Sequence, residues 1–165
     1  MKLRRIVQAT KTITDSGTWK TGSKMPKSAF PLSKSSQFKV SSTYTWKVIS
    51  FDALGERFRV LIYYRIALHQ YSAVLAKAVG GDMLVMARLE FHGTHPGWHC
   101  HALCDATGAV SGRSGAPDKR IPKVSGFHKQ SEYGVAGDRS AHDKAAKFFR
   151  LDKHPLPPLF QQPNS

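Results

Sequence analysis

Acidic residues are scarce in this chain and cysteine is almost missing. Eleven Asp and Glu stand against twenty-five Lys and Arg in 165 residues, leaving a formal charge of +14. An excess of one sign on that scale attracts polyanions and repels itself unless a partner neutralises it. Nucleic acid is the expected partner, although a ribosome-like or merely soluble basic surface, or an anionic membrane surface, would carry the same charge. The only cysteines are Cys100 and Cys104. Four positions apart in an extended segment they would be about 13 Å apart, beyond disulfide reach. Reduced thiols agree with a cytoplasmic address. No run approaches the roughly 18 apolar residues that cross a bilayer, and MKLRRIVQATK has basic residues without the apolar stretch of a signal peptide, so a membrane is not expected as a partner. A Walker-type glycine loop, a Gly-x-Ser-x-Gly elbow and spaced cysteine pairs are also missing, so none of these motifs can carry a functional reading.

What is present suffices for one core. The chain is 41% hydrophobic, with nine Phe, three Trp and five Tyr, enough to bury a single domain and too little for two. Residues 1–43, rich in Lys, Ser and Thr, read as a basic, loosely structured arm with at most a short strand. Residues 44–151 read as one α+β domain and 152–165 as a Pro-rich tail. Within the domain YTWKVISF alternates, DALGE offers turn chemistry and RFRVLIYYRIA alternates again, which predicts a hairpin. Its second strand sets Phe58, Val60, Ile62, Tyr64 and Ile66 on one face. Arg57, Arg59, Leu61, Tyr63 and Arg65 fall on the other, where the arginines form either an anion-binding or a solvated basic face.

From His69 to Val79 the spacing of Tyr71, Val74, Leu75 and Ala78 predicts an amphipathic helix stopped by Gly80. MLVMARLEF then reads as a strand, HGTHPG as a turn and WHCHALC as the returning strand. The expected core is an antiparallel sheet in the order strand, strand, helix, strand, strand. The stretch from Asp105 to about Ser131, including SGRSGAPDKR, reads as a basic loop whose Arg113, Lys119 and Arg120 are candidate nucleic-acid contacts. Ser140 followed by Asp143 resembles a capping box for a helix through about Leu151, with Ala141, Ala145, Phe148 and Leu151 facing the sheet.

Chemistry concentrates in one segment. Glu90, His92, His95, His99, Cys100, His101 and Cys104 fall within fifteen positions of one another. Residues two apart in a strand share a face, so His99 and His101 point together and Cys100 points away. If the hairpin is symmetric about Thr94 and His95, Glu90 lies opposite His99 on that same face, within about 5 Å. Two imidazoles and a carboxylate leave coordination positions open, as a catalytic divalent metal such as Mg, Mn or Zn requires. A slip of two residues would pair His92 with His99 and Glu90 with His101 instead. The symmetric register also sets Arg88 opposite His101, where it would repel a metal or clamp a phosphate.

RLEFHGTHPGWHCHAL, residues 88–103, resembles the hairpin of the HUH endonucleases, the rolling-circle initiators, relaxases and related transposases, in which a polar ligand precedes a His-x-His pair on a central strand. The resemblance covers about sixty residues and rests on this one motif. It implies a nuclease that nicks single-stranded DNA, with Glu90, His99 and His101 as metal ligands and a downstream tyrosine as nucleophile. By position that tyrosine is Tyr133. The family sets its tyrosine on a helix with a Lys one turn away, whereas SEYGVAGD reads as a loop and Lys129 precedes Tyr133. Two other readings compete. One is a non-catalytic nucleic-acid-binding protein with a structural zinc drawn from His92 or His95 with His99, Cys100 and Cys104. The other is an accessory or inhibitor protein of a phage or mobile element that binds a protein partner in a nucleoprotein complex.

Overall fold

The alternation in YTWKVISF and RFRVLIYYR becomes, in a computed structural model describing residues 3–32, 39–92, 97–102 and 132–152, the first long hairpin of an antiparallel sheet. Strand β2 (Thr45–Ala53) turns through Leu54 and Gly55 into β3 (Glu56–Arg65), and β4 (Gln70–Val79), β5 (Asp82–Phe91) and β6 (His99–Ala102) follow as a meander. A short β1 (Thr12–Asp15) pairs with β2, so the order across the sheet is β1-β2-β3-β4-β5-β6. Helix α1 (Leu3–Gln8) precedes β1, and α2 (Asp138–Phe149) lies on one sheet face. The α+β class and the antiparallel sheet follow the sequence reading. Among the described residues no helix is long and apolar enough to cross a membrane.

The predicted helix at 69–79 is instead the strand β4. It is hydrogen-bonded on both sides, with Tyr71 opposite both Tyr64 and Phe91 and Ala73 opposite both Ile62 and Leu89. Its residues 71–76 are all buried. A strand covered on both faces is apolar throughout, and such a run satisfies a helical period as readily as an alternating one. What decides is the demand of the β3 and β5 backbones for partners, which a strand meets and a helix does not.

The described residues of the segment 1–43, which are 3–32 and 39–43, pack on the sheet where the sequence suggests a loose arm. Ile6 of α1 joins the core under α2, and buried Lys11 donates to the carbonyls of Val7 and Ala9, satisfying acceptors near the end of α1. Gly17 turns the chain at φ +63°, where a Cβ would lie 2.0 Å from the Val48 carbonyl oxygen. Beyond it Met25, Phe30 and Val40 pack on Trp46, Leu61, Val74, Ala76, Met83 and Val85, a second core on the sheet face opposite α2. Backbone bonds from Met25 to Val40 and from Met83 to Pro31 hold this cover in place. The physical reason is that the sheet has two apolar faces and α2 covers one. The N-terminal segment therefore supplies the other layer, despite its polar composition.

That layer changes the expected anion-binding face of β3. Leu61 is fully buried, Tyr63 is half-buried against the same cover, and Arg59 donates to the carbonyls of Ser28 and Ala29, tying the cover to the sheet. Arg57 remains exposed, 3.7 Å from Asp52. Helix α2 begins two residues before Ser140, whose Oγ accepts the N–H groups of Ala136 and Gly137 from inside the first turn. Its Ala141, Ala145 and Phe148, with Leu151 beyond its end, are buried as expected.

Candidate metal centre

Strands β5 and β6 pair in the symmetric register, Glu90 opposite His99 and Arg88 opposite His101. Alternation then sets Arg88, Glu90, His99 and His101 on the face away from α2, while Leu89 and Cys100 enter the core beneath the helix. Cys100 is buried on that opposite side. It therefore cannot join His99 around one ion, and a closed zinc site using both is not built; its other proposed members, His95 and Cys104, lie outside the described residues.

Ligand atoms of Glu90, His99 and His101 all fall within 4.8 Å of one another. The shared point is Glu90 Oε2, 3.7 Å from His99 Nε2 and 3.5 Å from His101 Nε2. These contacts are longer than good hydrogen bonds, and the spacing suits donors arranged around a common ion. This group can hold a metal ion.

Surrounding residues orient the set. His99 Nδ1 lies 3.3 Å from the Gly97 carbonyl, which can only accept, so an ion held by Nε2 would find the ring proton on Nδ1. That backbone bond is the arrangement that fixes the tautomer of metal-binding histidines. Gly97 adopts φ +75°, a conformation glycine takes without strain. On the carboxylate, Ser72 Oγ donates to Oε1 at 3.4 Å, leaving Oε2 for the cluster. Tyr63 stands next in that row, opposite Ser72. Burial pushes its phenol up to about 12; the Ser72 hydrogen bond opposes the shift and the Glu90 charge adds to it. The rings of His92, His99 and His101 follow one another edge to face, with centroids 4.8 and 5.1 Å apart. His92 thus borders the centre without being one of the three converging ligands.

Arg88 is part of the site. Its Nη2 is 3.0 Å from Glu90 Oε2, with the two side chains only 15% and 13% exposed. Arg65 lies on the same face, two strands from β5 and about 10 Å away by the usual strand spacing. Arg113, Lys119 and Arg120 lie outside the described residues.

Tyr133 is not brought to this centre. It packs against Phe91 and His69 on the α2 side of the sheet, and its hydroxyl donates to the Gln70 carbonyl at 2.7 Å. Burial raises its pKa far above that of a free phenol. A nucleophile must be close to the ion-bound phosphate and easily deprotonated, and Tyr133 meets neither condition. The His-x-His strand also departs from the HUH pattern, because β6 is the outermost strand of the described sheet and not a central one. Sequence reasoning missed Ser72 and Gly97, which position the ligands from across a strand pair and from a turn. Ser72 carries no motif, and only the β4–β5 register would have found it.

No family model, curated protein or solved structure matches this chain, so the functional reading rests on the geometry of the centre and the chemistry of its residues.

Proposed function

We propose that this protein is a metal-dependent nuclease in which Glu90, His99 and His101 hold a divalent cation and water, not a tyrosine, attacks the phosphodiester. The observation that carries this reading is the convergence of three ligand atoms within 4.8 Å on one sheet face. Two imidazole nitrogens and a carboxylate oxygen suit Zn²⁺ or Mn²⁺ better than Mg²⁺, which prefers oxygen ligands. A bound cation of this kind polarises a phosphoryl oxygen and makes water a stronger nucleophile. Hydrolysis balances without a covalent enzyme intermediate: the water oxygen bonds to phosphorus, the ester P–O bond breaks and the leaving oxygen takes the proton. The +14 charge favours a polyanionic substrate, and the resemblance of residues 88–103 to HUH hairpins makes single-stranded DNA the first choice.

A second reading is a non-catalytic nucleic-acid-binding protein whose metal braces the hairpin. The observation favouring it is exposure: His99, Glu90 and His101 retain only 6%, 13% and 14%. One experiment separates the two. Labelled single-stranded oligonucleotides are incubated with Mn²⁺ or Zn²⁺ and wild-type protein or His99→Ala, and binding is followed across a salt series. The nuclease reading expects cleavage by wild type alone and salt-sensitive binding by both; metal uptake and binding without cleavage would leave the bracing role.

A further inference from the structure

Glu90 Oε2 is approached by three groups at once: Arg88 Nη2 at 3.0 Å, His101 Nε2 at 3.5 Å and His99 Nε2 at 3.7 Å. Ser72 engages the other carboxylate oxygen, so the guanidinium and an incoming cation address the same atom. Two positive groups meeting on one oxygen in so enclosed a place are poorly screened by water or salt and repel each other. The register makes the meeting unavoidable, since Arg88 stands two residues from Glu90 on the same face and directly opposite His101.

We infer that Arg88 and the divalent cation compete for Glu90, and that arrival of the cation turns the Arg88 guanidinium toward a phosphodiester of single-stranded nucleic acid, so that ion and substrate bind as a coupled pair. This inference rests on the metal-centre reading above. A guanidinium suits the exchange because its planar fork fits two phosphate oxygens as well as it fits a carboxylate. Without the cation, Arg88 neutralises Glu90 and holds the ligand set together. With it, Glu90 charge is taken up by the ion and the arginine is available to an anion lying beside it. Coupling of this kind is reciprocal: nucleic acid tightens the metal by the factor by which metal tightens nucleic acid.

The test is a Co²⁺ titration of the full chain, read by d–d absorption, for wild type, Arg88→Met and Arg88→Lys, with and without a short oligothymidylate. Arg88→Met should bind Co²⁺ about tenfold tighter than wild type in the absence of DNA, and oligothymidylate should tighten Co²⁺ about tenfold in wild type but not in Arg88→Met. Arg88→Lys keeps the competing charge without the fork, so its Co²⁺ affinity should stay near wild type while the DNA effect falls several-fold. Unchanged or weaker Co²⁺ binding by Arg88→Met overturns the competition, and an undiminished DNA effect in either variant overturns the coupling. If Arg88→Met does not fold, Arg88→Gln, which also removes the charge, takes its place with the same expected and overturning results. Failure of wild type to take up Co²⁺ would sink the metal centre and this inference together, whereas uptake without any effect at position 88 would sink the inference only.

Discussion

Glu90→Gln isolates the centre of the site with the smallest change of shape. In metal-free protein the substitution leaves Arg88 facing an amide in a pocket where its side chain is 15% exposed. Removing one partner of a buried ion pair typically costs about 3–5 kcal/mol. The remaining exposure and the ability of the amide oxygen to accept one hydrogen bond reduce this to about 2–3 kcal/mol. For a chain of this size that is a fall in Tm of roughly 4–12 °C in chelator. Metal supplies the second half of the prediction. An ion at a hundred times its Kd stabilises wild type by about 2.7 kcal/mol, roughly 5–11 °C, and should leave Glu90→Gln almost unmoved. Scanning calorimetry of both proteins, in chelator and in Zn²⁺ or Mn²⁺, checks all four values. A variant that melts with wild type in chelator would show that the ion pair carries no stability. Equal metal shifts in both proteins would show that the ion binds elsewhere.

Two further predictions follow from the tyrosines. Tyr133→Phe should lose about 1 kcal/mol through the bond to the Gln70 carbonyl yet keep metal uptake and any cleavage; loss of cleavage with intact metal binding would return the nucleophile to Tyr133. Burial raises the pKa of Tyr63 and Tyr64 to about 12, with donation to Asp138 adding to the shift at Tyr64, and holds Tyr71 well above its usual value. Phenols near 10 when unfolded and near 12 when folded contribute stability that is complete below pH 10 and lost as pH rises from 10 through 12. Absorbance at alkaline pH should therefore show these phenolates appearing with loss of the fold, and their titration near pH 10 in folded protein would contradict the burial described here.

The hairpin that carries the site was readable because its determinants are local. The pairing of Glu90 with His99 is the one a symmetric hairpin requires, and that register with alternation sends Glu90, His99 and His101 to one face. The alternation of Arg57–Arg65 is legible, but what covers its outer face is not, because Met25, Phe30 and Val40 are remote and widely spaced in the sequence. Strand β4 mimics a helical period because an element buried on both faces loses the polar half of its pattern. Tyr133 is the one tyrosine downstream of the His-x-His pair, and chain order says nothing about which side of a sheet a residue occupies. Ser72 and Arg59 acquire their roles only through neighbours distant in sequence.

Two of the three ligands ride on β6, a strand of four residues attached through β5 at the margin of the described sheet. An ion gripping Glu90 from one strand and both imidazoles from the next would therefore be a cross-link between them, riveting a marginal strand to the rest. Whatever governs metal supply would then also govern how often that margin peels open, and amide exchange at His99 and His101 would register the ion before any catalytic assay did.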